Sequence, residues 1–250
     1  MSADDLRGRV AVVTGASSGI GAAVASALAA EGAHVALAAR RAHALEQVEA
    51  ALPRKDGARS VTVPTDVTDP AQVDALVAET TATLGPVDVL VSCAGVMYYT
   101  LMTNTDLGQW RRTVDVNCNG LLHCLAAVVP GMVARGQGHV VAISSDAGRR
   151  VFPGLAVYSG TKFFVEAVLQ GLRLETVGSG LRVTSVQPGN VGTDLLDLSS
   201  DAQALEQYGT ATDARVLDPE DVSAAVVHAL RQPQHVAVNE ILIEPRDEPI

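Results

Sequence analysis

The sequence predicts a single-domain α/β fold, a doubly wound, seven-stranded parallel sheet with helices on both faces. Three observations predict it. Short apolar, β-branched runs alternate with helical stretches along the chain, as expected for strands covered on both faces by crossover helices. The 250 residues, 48% hydrophobic and 18% charged, suit one sizeable core, with no linker, repeat or low-complexity tract. Aromatic residues make up only 3%, so that core is built from Ala, Val and Leu and favours close helix-on-sheet packing.

The elements follow in order. Val10–Val13 is a buried strand, and Ala22–Ala30 a helix closed by Glu31-Gly32. Val35–Ala38 is the second strand and Ala42–Leu52 the second helix. Ser60–Val63 and Pro70–Leu84 form the third strand–helix pair. Val87–Val91 is the fourth strand, and Leu107–Val133 reads as mostly one long helix. His139–Ile143, helix Val157–Val177, strand Leu181–Val186, helix Pro219–Gln232 and strand Glu240–Ile243 complete a Rossmann-type order. The stretch 190–217 is long, polar and weakly patterned, which predicts a substrate loop over a site.

Composition excludes several function classes. A net charge of −10 repels phosphate backbones, so no nucleic-acid partner is expected. Cys93, Cys118 and Cys124 show no C-x-x-C spacing, and the six histidines show no metal spacing, so no metal site is expected. The start, Met1 to Arg7, is acidic and polar and lacks the layout of a signal peptide. Its character, the odd cysteine count and the lack of an eighteen-residue apolar run predict a cytoplasmic protein with no membrane partner.

Two motifs carry chemistry. Thr14-Gly15-Ala16-Ser17-Ser18-Gly19-Ile20-Gly21 lies between the first strand and the first helix. There glycines let backbone approach a pyrophosphate seated on a helix N-terminus. Tyr158 and Lys162 stand four residues apart in a helical segment of a chain with only two lysines. Residues at i and i+4 share a face, and a neighbouring ammonium favours the phenolate. At the end of the second strand, Ala39 stands where an NAD site usually places a carboxylate. Arg40 and Arg41 follow it, and Arg40 can grip a 2′-phosphate, which favours NADP(H) over NAD(H).

With the T-G-x-x-x-G-x-G loop and Tyr158-x-x-x-Lys162, the chain resembles the short-chain dehydrogenase/reductase family, over essentially its whole length. The resemblance implies an alcohol dehydrogenase or carbonyl reductase. It assigns Tyr158 as proton donor and acceptor, Lys162 as modulator of Tyr158 and holder of the nicotinamide ribose, Ser145 as the group orienting the carbonyl, and Asn117 as the holder of a relay water. It further implies that Gly15, Ser17, Ser18, Gly19, Ile20 and Gly21 bind the cofactor phosphates. Asp66 and Val67 would take the adenine, Ala94 and Gly95 the backbone approach, and Pro188, Gly189, Val191 and Thr193 the carboxamide. Members are usually homotetramers, which here would pack across the helices Leu107–Val133 and Val157–Val177.

The chain departs from the family at Ser92-Cys93, where Asn-Asn is usual. The substrate pocket implied by the resemblance is lined by Val96, Met97, Tyr98 and Tyr99, by 146–155 including Phe152, and by the loop from Asn190. That lining suits a moderately apolar ketone, aldehyde or secondary alcohol. The segments Ala38–Arg41 and Val238–Pro245 resemble reductases of 3-hydroxy acids, semialdehydes and the aldehyde precursor of clavulanic acid. Two other readings compete: an NAD(H)-preferring alcohol dehydrogenase, and a non-catalytic dinucleotide-binding sensor or scaffold.

Overall fold

Strands that read as unbroken apolar runs need cover on both faces, and the computed structural model, which describes residues 6–209 and 215–248, provides it. Seven strands are β1 (Val10–Thr14), β2 (His34–Ala39), β3 (Ser60–Pro64), β4 (Val89–Ser92), β5 (Gly138–Ile143), β6 (Leu181–Pro188) and β7 (Glu240–Ile243). All pair in parallel, in the order β3-β2-β1-β4-β5-β6-β7. The strand order reverses between β1 and β4. In open α/β sheets ligands bind at the carboxyl ends beside that switch point.

Two apolar layers flank the sheet. Helices α1 (Gly19–Ala30), α2 (Ala42–Ala51) and α8 (Pro219–Leu230) bury Val24, Leu28, Leu45, Val222, Val226 and Leu230 against one face. On the other, α3 (Pro70–Thr83), α5 (Gly120–Ala134) and α6 (Ala156–Glu175) bury Val73, Leu76, Leu121, Leu125, Met132, Val165 and Leu169. Each such side chain contributes roughly 1.5–3 kcal/mol by leaving water.

Three departures from the sequence reading matter for the site. Helix α1 starts at Gly19 rather than Ala22, because the glycine turn itself enters the helix. The long helix divides into α4 (Leu107–Val114), a π turn (Asp115–Asn119) and α5. The extra residue of that turn sets Asn117 inside the protein, 4% exposed. The joined rod Leu107–Ala134 is long and apolar enough to cross a membrane, with an eighteen-residue window of mean hydropathy 1.5, yet half of that window is buried inside the protein. Finally, 190–217 contains a short helix, α7 (Ala202–Tyr208), which its seven residues hid from periodicity.

Candidate active site

The glycine turn is held open by contacts that only glycine permits. Gly15 has φ +69°, and a Cβ there would lie 2.9 Å from Ala94 N. At Gly21 it would lie 2.3 Å from Gly15 O. Thr14, fully buried, ties the turn to the next strand: its Oγ1 accepts from Cys93 N and Ala94 N, both at 3.1 Å. This explains why Ser92-Cys93 can replace two amides without loosening the junction, since backbone supplies the donors. Ser18, the N-cap of α1, makes no capping bond with its side chain. The helix start therefore keeps N–H groups for an anionic ligand. The residues present fit a dinucleotide pyrophosphate.

Arg41 joins this cradle. Its Nη2 donates to Ser17 Oγ and Ser18 Oγ, each at 3.2 Å. Arg40 lies at the exposed end of β2, and its charge reaches Asp66. The expected 2′-phosphate grip fell on Arg40; the contact with the turn belongs to Arg41. Asp66 follows β3, where Oδ1 accepts from Thr68 N at 3.0 Å and Thr68 Oγ1 at 2.8 Å. Its Oδ2 pairs with Arg112 at 3.6 Å. Burial nudges the Asp66 pKa upward, but the Thr68 bonds, Arg112 and Arg40 bring it below the usual range. The cap of α3 is Asp69, so Asp66 has no capping duty. Val67 is buried against Gly120.

Pro188, Gly189, Val191 and Thr193 leave β6 beside the same turn. Gly189 N donates to Ile243 O at 2.8 Å, and Val191 bridges Leu217. The Thr193 methyl lies 3.2 Å from where a Gly19 Cβ would stand. Gly95 faces Asn117, whose Oδ1 would be 3.5 Å from an added Cβ.

The hydroxyl groups converge at the carboxyl end of β5. Ser145, Tyr158 and Lys162 are 8%, 8% and 7% exposed. Ser145 and Tyr158 stand close enough for the Ser145 hydroxyl to act on the ionisation of the phenol. Ser145 Oγ also donates to Asp146 Oδ1 at 2.8 Å and accepts from Ala147 N at 3.1 Å. Its neighbour Ser144 has a buried hydroxyl without a hydrogen-bond partner and takes no part in this network. Lys162 Nζ stands 5.5 Å from the centre of the Tyr158 ring and donates to Ile143 O at 3.0 Å. Asn117 links the next layer: Nδ2 donates to Val96 O at 2.9 Å and to Thr161 Oγ1 at 3.1 Å.

Electrostatics correct one expectation. The spacing predicts an ammonium that lowers the Tyr158 pKa. Instead burial raises it above the ordinary phenol value; the Ser145 hydroxyl opposes, and Asp146 and Tyr99 raise it further. The i+4 ammonium lies over the ring rather than at the hydroxyl. Burial also brings Lys162 down to about 8, against the opposing pull of Cys93, Glu166 and Cys118. Cys93 is pushed up to about 12 by burial, which keeps it an inert thiol.

The expected pocket segments do meet. Met97, Tyr99 and Phe152 pack with Ala147, Leu155 and Tyr158, whereas Val96 and Tyr98 join the sheet core. Arg149 is committed elsewhere, to Gln187 and Glu240. Helix α7 docks on the segment after β4. Asp201 accepts from Leu101 N at 3.0 Å and from Asn104 Nδ2 at 2.9 Å, and Ser199 Oγ accepts from Tyr99 N at 2.9 Å. This docking and Tyr208 went unread in the sequence; the available signal was Asp201 as a cap before Ala202. Residues 210–214 of the predicted loop lie outside the described residues.

A nucleotide cradle at a parallel-sheet switch point, beside a buried serine–tyrosine–lysine group, defines a dinucleotide-dependent oxidoreductase. The model of the short chain dehydrogenase family matches residues 9–204, and the chain belongs to that family. It is 67% identical over 245 residues to a glycine betaine reductase of Emericella nidulans, covering 98% of this chain and 19% of that protein, so it spans about a fifth of that relative's length. An uncharacterized oxidoreductase of Staphylococcus haemolyticus is 41% identical, with 96% of this chain and 99% of that one covered. Among solved structures, an alcohol dehydrogenase of the archaeon Thermococcus sibiricus complexed with 5-hydroxy-NADP superposes with a TM-score of 0.86 at 26% identity, covering 97% of this chain and 98% of that one.

Proposed function

We propose that the chain is an NADP(H)-dependent reductase of aldehydes or ketones, reversible toward secondary or primary alcohols, with Tyr158 as general acid and base. The observation that carries the reading is the burial of Ser145, Tyr158 and Lys162 together at the carboxyl end of β5, with Lys162 Nζ 5.5 Å from the Tyr158 ring. A nicotinamide cofactor, when bound, supplies or accepts the hydride. Gly15, Ser17, Ser18, Gly19, Ile20 and Gly21 would hold its phosphates, and Arg41 with Arg40 a 2′-phosphate. Asp66 and Val67 would take the adenine. Ala94, Gly95, Pro188, Gly189, Val191 and Thr193 would border the nicotinamide.

With substrate present, the Ser145 hydroxyl turns from Asp146 to donate to the carbonyl and holds it at the phenol. Tyr158 then passes its proton to the oxygen as the carbon is reduced. A phenol that burial keeps protonated suits this direction. Asn117 keeps the chain through Val96 and Thr161 in register, on the route by which Tyr158 regains a proton. General acid catalysis of this kind is typically worth ~10²–10⁴-fold. Glycine betaine, named for the fungal relative, is a carboxylate carrying a trimethylammonium group. Reduction of a carboxylate to an alcohol passes through an aldehyde, and the aldehyde stage is the one this site fits.

The test is a panel of aldehydes and ketones with NADPH and NADH, followed by loss of reduced-nicotinamide absorbance. Turnover with NADPH ahead of NADH supports the reading. NADH ahead of NADPH would favour the second dehydrogenase reading. Tight NADPH binding with no turnover of any carbonyl would favour a sensor.

A further inference from the structure

Half of the chain's aromatic residues gather at one place. The sequence holds four Tyr, three Phe and one Trp. Tyr99 and Phe152 pack with Tyr158. Tyr208 reaches the same spot from α7: a Cβ at Gly154 would lie 3.0 Å from Tyr99 Cδ1 and 3.3 Å from Tyr208 Cδ2. The α7 docking through Asp201 and Ser199 fixes both rings relative to Tyr158.

A carboxylate stands among them. Asp146 is half-buried, follows Ser145 directly, and its charge acts on the phenols of both Tyr99 and Tyr158. Among the described residues no salt bridge engages it. The nearby cations are occupied elsewhere. Lys162 donates to Ile143 O, Arg149 pairs with Glu240, and Arg150 lies 4.6 Å over the Phe152 ring. Arg150 thus takes a face of Phe152, which leaves Tyr99, within reach of the Asp146 charge, and Tyr208, beside Tyr99 at Gly154, as the open rings.

We infer that Tyr99, Tyr208 and Asp146 form a subsite for a quaternary ammonium group on the substrate, next to the reacting carbonyl. The inference rests on reading Ser145 and Tyr158 as the carbonyl site and names the substrate class. A quaternary ammonium has no N–H to donate and a diffuse, weakly hydrated charge. Aromatic faces together with an uncompensated carboxylate recognise it, where a hydrogen-bonding pocket would not. In the reaction, the aldehyde carbon accepts the cofactor's hydride and its oxygen the Tyr158 proton. The products are the quaternary ammonium alcohol and oxidised cofactor, and Tyr158 takes a proton back from solvent.

The experiment compares two aldehydes of one shape that differ by a charge: trimethylammonioacetaldehyde and 3,3-dimethylbutanal. The wild-type kcat/KM for the cation should exceed that for the neutral isostere by about tenfold or more. Tyr208→Ala and Asp146→Asn should each bring that ratio toward one, mainly through KM. Asp146→Asn keeps an oxygen to accept from Ser145, so a role confined to positioning Ser145 would lower both substrates alike and leave the ratio unchanged. A wild-type ratio at or below one, or a ratio unmoved in both variants, overturns the subsite while carbonyl reduction stands. Calorimetry with tetramethylammonium on the NADP⁺-loaded full chain separates the other failure. If neither aldehyde turns over, the reductase reading suffers, while tetramethylammonium binding that is lost in Asp146→Asn still supports the subsite and its absence overturns it.

Discussion

Asn117 grips one residue, Val96, from both sides of its peptide backbone: Oδ1 accepts from Val96 N and Nδ2 donates to Val96 O, each at 2.9 Å. The pairing imitates a strand neighbour for a segment that has left β4. It is possible because the π turn carries the amide inward. Asn117→Ala leaves a buried N–H, a buried carbonyl and the Thr161 hydroxyl short of partners, a cost of ~2–4 kcal/mol from unsatisfied polar groups. Urea denaturation should show a lower midpoint with unchanged m-value, and turnover should fall as the 96–99 segment loosens. A midpoint within error of wild type would show that water replaces the amide.

Arg41 offers the sharpest test of the cofactor reading. It already donates to Ser17 and Ser18 at 3.2 Å, which holds its guanidinium at the turn that would carry an adenosine phosphate. A charge-assisted hydrogen bond is worth ~1.5–3 kcal/mol. Arg41→Ala should therefore raise the KM for NADPH about tenfold or more and that for NADH much less. Arg40→Asp should also hurt NADPH, by repulsion, but its effect should be the more salt-sensitive, since Arg40 is exposed. Equal losses for both cofactors in Arg41→Ala would remove its assigned role.

The paired arginines show where sequence reading reached its limit. The two residues, the strand before them and the choice of phosphate are local, and they were legible. Which guanidinium turns back to Ser17 depends on how α2 leaves β2, a long-range property. The same division holds elsewhere. The strand runs and the glycine turn were readable because period and composition are local signals. The π turn within Leu107–Val133 was not, because Val96, the partner its inward amide serves, lies on another segment. Helix α7 failed to register because seven residues give too few repeats for a period. The spacing of Tyr158 and Lys162 correctly placed them on one face, but burial, which decides both pKa directions, is a property of the packed sheet.

Those directions set a pH profile. Burial holds Tyr158 protonated across neutral pH and lowers Lys162 to about 8. Carbonyl reduction needs the protonated phenol, and the proposed site also needs the Lys162 ammonium to hold the cofactor ribose. Its rate should be flat below about 8 and fall as Lys162 loses its charge above that value. Alcohol oxidation starts from phenolate and should rise with pH. Tyr158→Phe should abolish both while leaving NADPH binding within about twofold, because the ring and its packing remain. Reduction that climbs through pH 8 to 10 would sink the assignment of Lys162 as the alkaline limb.

His139 provides a stability test far from that chemistry. It is 2% exposed at the start of β5. Thr184 Oγ1 donates to Val238 O at 2.7 Å, so it accepts from His139 Nε2 at 2.8 Å, which fixes the neutral tautomer with Nδ1 unprotonated and without a partner. Burial, with Arg182 second, lowers the His139 pKa from 6.5 to about 3. Between those values the unfolded chain binds a proton that the folded chain refuses. Folding stability is therefore untouched by this group above 6.5 and is lost as pH falls toward 3. His139→Gln retains a donor for Thr184 but has nothing to titrate. It should cost some stability at pH 7, yet its urea midpoint should decline less between pH 7 and 5 than that of the wild type. Parallel declines in the two proteins would mean that another group governs acid unfolding.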